Sequence, residues 1–467
     1  MKFSKCIICI LVLALLAAVA PKASAAPQVN GCFTLQASSA LAGSEKLLDT
    51  AKAAILYELN SGTMVYSYNV DKKIDPSGMN KIMAALVALE NSDPEEKVCV
   101  TRETLNTVPI GSVSAGLKRD EIISVQDLLY CMMVGSANDA AIVLAEHVGG
   151  TQEKFVSMMN IKALELGCEN TFFANPTGIS EEGQYTTARE LAIITEKALQ
   201  NELFRTIFCT AEYTVPATNQ SEPRVIHTTN HLQSDATVKD QLDNRVTGGK
   251  TGAISTTDRS LICTAEMDGS YYLSVVMSAK GTVTADGLAA VTFGSFEETR
   301  KLLDLGFKQH SVFSLFDKDQ VVDQAPVNGG SCMVSLRAKE MIKATLPADV
   351  TQADLRYSTT ISNFTAPVKA GQQIGNVQVW YGDLCIGQTA LLAMHDVSRV
   401  GEGLTELAPT AELPRSIPWG WIIGIILASI VIAGVIATAI FINRRNVEAK
   451  KKARRRKRRK TRAGSGV

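Results

Sequence analysis

The stretch Pro76-Ser77-Gly78-Met79-Asn80-Lys81-Ile82-Met83 marks the point where this chain changes from a strand pattern to a helix pattern. Before it, two short apolar runs flank Asn60-Ser61-Gly62, which predicts a β-hairpin over residues 53–68. After it, apolar residues recur on nearly every side of a helix, over residues 82–89. A helix with that pattern is typical of the centre of a core. We therefore expect Lys81, at the start of this helix, to be buried.

A helical block and a second group of strands follow. Helices are expected over residues 128–144, 153–166, 188–203 and 297–307. Asp268-Gly269 is a strong two-residue hairpin signal, and it separates apolar runs that predict strands over residues 259–267 and 270–279. Together these patterns predict an α/β fold in which helices pack on a sheet with mixed connectivity.

Two of the helical segments carry groups suited to proton transfer. A lysine that burial keeps neutral can accept a proton from a nearby hydroxyl, so Lys81 is a candidate base. Ser136-Ala137-Asn138 falls inside the helical block. The hydroxyl of Ser136 can relay a proton, and the amide of Asn138 can bind a substrate or orient Lys81.

A third motif, Lys250-Thr251-Gly252, directly precedes the predicted Asp268-Gly269 hairpin and is expected on an edge of the sheet. Lys250 and Thr251 offer a cation and a hydroxyl to a carboxylate. Gly252 has no side chain, so it is expected to let a substrate approach the strand closely.

The three motifs resemble the S-x-x-K, S-x-N and K-T-G set of penicillin-binding proteins and class A β-lactamases. Runs at residues 135–141, 173–178 and 187–191 make the chain similar to the D-alanyl-D-alanine carboxypeptidases of peptidase family S11, the low-molecular-mass penicillin-binding proteins. The resemblance implies a penicillin-binding protein or serine β-lactamase-like sheet with a helical block. It also implies removal of the terminal D-alanine from peptidoglycan stem peptides, through an acyl-enzyme that β-lactams trap.

The chain departs from this family at the nucleophile. The family has its serine three residues before the first lysine, and this chain has Gly78 there. We interpret the chain as a carboxypeptidase relative that binds stem peptides with impaired catalysis. Two alternatives stay open, an active carboxypeptidase that uses Ser77 and a β-lactamase. The pattern favours Ser77 as an N-cap for the amide of Asn80. Asp258 is expected to weaken carboxylate binding unless the neighbouring Arg259 offsets its charge.

The rest of the chain predicts an exported, anchored protein. The run Lys2 to Ala25 has basic, apolar and small-residue parts, as in a secretory signal peptide. Residues 419–442 are uncharged and long enough to span a bilayer. The expected layout is a signal peptide at 1–25, a peptidase-like domain at 44–307, an all-β domain at 310–396 that also resembles this family, a linker at 397–418, a transmembrane helix at 419–442 and a basic cytoplasmic tail at 443–467.

The net charge of zero conceals a segregation of charge. Residues 444–462 carry 13 Lys or Arg and one acid, whereas the part between residues 26 and 443 holds 31 basic and 46 acidic residues. That balance argues against nucleic-acid binding by the exported part. The histidines and cysteines show no metal-ligand spacing, so no metal or cofactor is expected, and Cys131 and Cys263 are expected to be core thiols. The expected partners are peptidoglycan D-Ala-D-Ala peptides, β-lactams and the membrane.

Overall fold

The structure is a computed structural model that describes residues 47–234, 236, 240–285 and 292–400. The expected signal peptide, transmembrane helix and basic tail lie outside those residues, as does the linker beyond residue 400. Within the described residues, no helix is both long enough and apolar enough to cross a membrane.

The strands of the first part of the chain are β1 Ala53–Glu58, β2 Thr63–Tyr68, β3 Lys97–Cys99, β4 Ile122–Ser124, β5 Glu212–Val215, β6 Arg224–His227, β7 Val246–Ala253, β8 Asp258–Met267 and β9 Ser270–Lys280. Five of them form an antiparallel sheet with the order β2-β1-β9-β8-β7. Both predicted hairpins form. Asp268 and Gly269 join β8 to β9 with φ angles of 52° and 80°, the left-handed pair that a tight hairpin turn needs.

Helices cover both faces of this sheet. They are α1 Asn80–Asn91, α2 Arg102–Asn106, α3 Val125–Met133, α4 Asn138–Gly149, α5 Gln152–Glu165, α6 Ala188–Leu199, α7 Glu202–Phe208 and α8 Gly294–Gln309. Helix α1 is buried from Asn80 to Ala88, as its apolar pattern predicts. The helical block and α8 each share a hydrophobic core with the sheet. Cys131 and Cys263 are buried, as expected.

The single helix expected over residues 128–144 is wrong. The chain leaves the helix after Met133 and starts α4 at Asn138. Ser136 lies in the break with a φ of +59°, and the Ala137 N–H donates to the carbonyl of Cys131 at 3.1 Å. The apolar pattern runs through this break, because Val134 and Ala137 are buried in it without being helical.

A β-rich part follows α8 directly. Its strands are β10 His310–Phe316, β11 Val321–Ala325, β12 Val334–Ala338, β13 Ile342–Pro347, β14 Leu355–Ile361, β15 Gln373–Tyr381 and β16 Leu384–Ala393. They form a two-stranded sheet, β10-β13, and a five-stranded sheet, β11-β12-β16-β15-β14, around a hydrophobic core of their own.

Glu58, at the end of β1, ties the two parts together. Its buried carboxylate accepts hydrogen bonds from the N–H groups of Ser61 at 2.6 Å and Tyr271 at 2.9 Å. The Ser61 Oγ lies 2.7 Å from the Thr345 Oγ1 on β13, and the Thr345 N–H donates to the Thr63 Oγ1 at 3.0 Å. The Glu58 carboxylate, which accepts hydrogen bonds from backbone N–H groups, therefore stabilises the turn at Ser61 that contacts β13.

Candidate functional site

The three sequence motifs meet at β7, which is the edge strand of the main sheet as predicted. In the first turn of α1, the Lys81 Nζ donates to the Oδ1 of Asn138 at 2.7 Å. On β7, the Lys250 Nζ donates to the Oγ of Ser136 at 2.8 Å. These pairs join residues that are 57 and 114 positions apart in the sequence. The fold therefore brings all the predicted polar groups of the three motifs into one site.

The break between α3 and α4 aims Ser136 at this site. Its left-handed φ is rare for a residue other than glycine and costs about 1–3 kcal/mol. The Asn138 N–H donates to the carbonyl of Val113 at 2.7 Å, and the carboxylate of Asp139 accepts from the Ser114 Oγ at 2.6 Å. The neighbouring loop thus holds the strained turn in place, with the Ser136 hydroxyl directed toward β7.

Lys81 is buried, with 2% of its surface exposed. Its Nζ donates to the Asn138 Oδ1 and to the carbonyl of Thr177. Burial, and then the nearby charge of Lys250, lower the pKa of Lys81 well below its ordinary value. A neutral amine at this place can accept a proton, which is the property expected of a base here.

Lys250 is fully buried, and burial lowers its pKa to about 7. Its Nζ donates to the Ser136 Oγ and to the carbonyl of Thr251, at 2.8 and 3.1 Å. The Thr251 Oγ1 lies 2.6 Å from the Oγ1 of Thr229. Across the described residues, the hydrogen-bond partners of Lys81 and Lys250 are all uncharged oxygens. Two buried amines without a carboxylate favour an anionic ligand.

Gly78 has no side chain, which leaves space between Ser136 and β7. A Cβ at position 78 would lie 3.7 Å from the Ser136 Oγ, 3.6 Å from the Gly252 Cα and 3.1 Å from the Thr251 carbonyl oxygen. A side chain at 78 would therefore point between Ser136 and β7. The 3.1 Å contact is tight, so a side chain there needs β7 to shift by a few tenths of an ångström.

The N-cap interpretation of Ser77 is wrong. Ser77 lies in a 3-10 turn, Ser77–Met79, with a φ of +47°, and neither this turn nor α1 has a side-chain cap. Its Oγ is buried and has no hydrogen-bond partner in the described structure, so it makes no hydrogen bond to Lys81. Its N–H donates to the Asp75 Oδ1 at 2.8 Å. Ser77, the alternative nucleophile, is thus not hydrogen-bonded to the candidate base.

Two glycines allow the strained 3-10 turn to fit. A Cβ at Gly252 would lie 2.1 Å from the Ser77 Oγ, and a Cβ at Gly178 would lie 1.9 Å from the Ser77 carbonyl oxygen. Gly178 also has a φ of +75°. Gly252, which was expected to let a substrate approach β7, also leaves room for the side chain of Ser77.

A segment outside the three motifs supports this turn. The Asn80 Nδ2 donates to the Gln184 Oε1 at 2.7 Å and to the carbonyl of Asn175 at 3.1 Å. The Gln184 Nε2 in turn donates to the Asp75 Oδ1 at 3.1 Å. The resemblance at residues 173–178 pointed to this segment. The contact of the Thr177 carbonyl with Lys81 uses a backbone atom, which no residue pattern reveals.

The carboxylate of Asp258 has partners in the structure. Its carboxylate lies 3.1 Å from the Lys52 Nζ and accepts a hydrogen bond of 2.5 Å from the Ser278 Oγ. Arg259, next to it, packs its guanidinium 5.0 Å from the ring centre of Phe293. The negative charge of Asp258 is therefore paired with Lys52.

Comparisons with known proteins identify relatives of both parts. The family model described as D-alanyl-D-alanine carboxypeptidase, peptidase S11, matches residues 42–281. The model of the C-terminal domain of penicillin-binding protein 5 matches residues 311–399.

Two relatives and one solved structure cover most of this chain. The D-alanyl-D-alanine carboxypeptidase DacC of Escherichia coli is 30% identical over 363 residues, which are 75% of this chain and 85% of the relative. DacF of Bacillus subtilis is 27% identical over 363 residues, covering 76% and 88%. Penicillin-binding protein 5 from Haemophilus influenzae superposes with a TM-score of 0.61 at 27% identity, covering 75% of this chain and 98% of that one.

Gly178→Ala is expected to destabilise the protein more than Gly183→Ala. Both glycines have a left-handed φ, 75° and 87°, so both variants carry about 1 kcal/mol of backbone strain. A Cβ at 183 meets no atom within 4 Å, whereas one at 178 collides with the Ser77 carbonyl, which adds roughly 1–3 kcal/mol. Chemical denaturation measures the difference. Equal losses in the two variants would contradict the close packing of the 3-10 turn.

Lys250→Met is expected to flatten the dependence of stability on pH. With a folded pKa of about 7 and an unfolded pKa near 10.4, Lys250 binds fewer protons in the folded state between these values. Stability therefore rises with pH above 7, by up to about 1.4 kcal/mol per pH unit for this group. Denaturation at pH 7, 8 and 9 measures the slope. Lys154→Met, at an exposed position, is the control and should keep the wild-type slope.

Proposed function

Because the chain belongs to the D-alanyl-D-alanine carboxypeptidase family of S11 peptidases, we propose that it binds peptidoglycan peptides ending in D-alanyl-D-alanine. We further propose that it lacks the acyl transfer that a serine at position 78 would perform. One observation carries this proposal: Lys81 and Lys250 are buried beside a position that has no side chain. The two buried amines support the proposed binding, and the lack of a hydroxyl at position 78 supports the proposed loss of acyl transfer there.

The proposed binding mode places the peptide carboxylate at β7. Lys250 and Thr251 would bind the terminal carboxylate, and Asn138 would hold the peptide backbone. Gly78 keeps its N–H, which remains a possible donor to the carbonyl of the penultimate residue. β-Lactams present a carboxylate and a carbonyl of the same kind, so they are expected as ligands too.

The proposed loss of acyl transfer at position 78 follows from Lys81 having no hydroxyl there to deprotonate. Removing the nucleophile of a serine hydrolase costs about 10⁶-fold in turnover in a dissected protease. Ser77 is a poor substitute, since its Oγ is buried and makes no hydrogen bond to Lys81 in the described structure. The β-rich part after α8 favours a carboxypeptidase relative over the alternative of a β-lactamase.

We also propose that the protein is exported and anchored by its C-terminus. Residues 1–25 have the pattern of a signal peptide, and residues 419–442 form a long uncharged apolar run followed by a basic tail. The basic tail would stay in the cytoplasm. This topology would present the site to the cell wall.

Gly78→Ser is expected to create a covalent adduct with a fluorescent penicillin, because the new hydroxyl would lie near Ser136 and Lys81. Formation should be slow, since the Cβ must displace the Thr251 carbonyl. Intact mass and peptide mapping identify the adduct. Gly78→Ala fills the same space without a hydroxyl and should gain no adduct at position 78. An adduct on Ser77 of the wild-type protein would instead support the active-enzyme alternative.

Deleting residues 401–467 is expected to release the exported protein from the membrane fraction. The full chain should remain in that fraction after alkaline carbonate, because a spanning helix resists extraction. Protease added outside the cell should degrade the described part of the chain and leave the tail. Retention of the shortened chain, or release of the full chain, would contradict C-terminal anchoring.

A further inference from the structure

We propose that Ser136 and Lys250 form a second nucleophile and base pair, which accepts an acyl group at Ser136 in the absence of a hydroxyl at position 78. This inference rests on the proposed function, because it requires a D-alanyl-D-alanine peptide or a β-lactam to enter the site. It gives Ser136 the role of the attacking group in place of a proton relay.

The first requirement is direct contact between the nucleophile and its base. The Lys250 Nζ and the Ser136 Oγ are 2.8 Å apart, which is within the distance needed for proton transfer. The Thr251 carbonyl holds the same Nζ at 3.1 Å and so orients the amine. A nucleophile, a base and a group that orients the base are thus present in one hydrogen-bonded chain.

The second requirement is a base that is neutral near physiological pH. Lys250 is fully buried, and burial lowers its pKa to about 7. Lys81, the other buried amine of the site, carries no negative charge that would raise the pKa of Lys250 again. A substantial fraction of Lys250 is therefore unprotonated in the free site at neutral pH. A bound carboxylate raises this pKa, so the reaction proceeds only from the complexes in which Lys250 stays unprotonated, and it is slow for that reason.

The third requirement is access to the substrate carbonyl. Ser136 is partly exposed, unlike Ser77. A Cβ at position 78 would lie 3.7 Å from the Ser136 Oγ, so this hydroxyl borders the volume that the missing side chain would occupy. A carbonyl presented to position 78 is consequently presented to Ser136 as well.

The conformation of Ser136 supports the same role. Its φ of +59° is held by the break between α3 and α4, and left-handed conformations of residues other than glycine cluster at functional sites. A serine on a strained turn projects its hydroxyl into a site in other hydrolases.

The proposed reaction is an acyl transfer that needs no further reagent than water. Ser136 gives its proton to the neutral Nζ of Lys250 as the Oγ–C bond forms. The C–N bond of the peptide or β-lactam then breaks, and the leaving nitrogen takes the proton from Lys250. Water hydrolyses the resulting ester, which regenerates the hydroxyl and releases the acid.

In the test, the full chain in detergent is incubated with a fluorescent penicillin at pH 8 over hours. We expect a slow adduct on the peptide that contains Ser136, detected by intact mass and peptide mapping. Ser136→Gly should abolish it and still fold, because glycine adopts this φ without strain. Lys250→Met should lower the rate by about 10²-fold or more, which is the usual contribution of a general base. Ser157→Ala and Lys154→Met, at exposed positions, should retain the wild-type rate.

An absent adduct, an adduct on Ser77, or an adduct that persists in Ser136→Gly would overturn this inference. Equilibrium dialysis of an acyl-D-alanyl-D-alanine peptide separates these failures from a failure of the proposed function. Binding of the peptide without an adduct on Ser136 leaves the proposed function standing alone. If the peptide neither binds nor reacts, both the proposed function and this inference are wrong.

Discussion

The burial of two lysine side chains without a carboxylate is the constraint on which the rest of this site depends. Taking an ammonium out of water costs several kcal/mol unless a partner compensates for it. Here the described structure offers Lys81 and Lys250 neutral oxygens. Such an arrangement makes the amines easy to deprotonate and receptive to an anion. The same constraint therefore explains both the expected basicity and the expected preference for a peptide carboxylate.

Close packing of backbone around Ser77 is what holds these amines in place. The strained 3-10 turn fits between Gly178 and Gly252 because neither has a Cβ. This turn starts α1 and so positions Lys81, while β7 carries Lys250 on the other side. This packing forms with a glycine at position 78, so it does not require a side chain there.

Much of this arrangement follows from the sequence, and the exceptions have physical reasons. The hairpins, the buried helix α1 and the edge position of Lys250-Thr251-Gly252 follow from apolar periodicity and turn residues. The break before Asn138 does not, because the buried Val134 and Ala137 continue the apolar pattern through it. The conformation of Ser77 also escapes prediction, since a serine before a helix normally caps it, and here β7 and Gly178 impose another backbone. Hydrogen bonds to backbone atoms, such as the one from Lys81 to the Thr177 carbonyl, cannot be predicted from the pattern of side chains.

Isothermal titration calorimetry with an acyl-D-alanyl-D-alanine peptide tests the central claim most directly, when it is repeated near pH 8 in buffers of different ionisation enthalpy. A carboxylate bound beside Lys250 raises the pKa of the amine from about 7, so the site takes up a proton as the peptide binds. We predict binding with a net uptake of up to about one proton, and a much smaller uptake in Lys250→Met. An absence of binding, or binding with no proton uptake, would contradict the account.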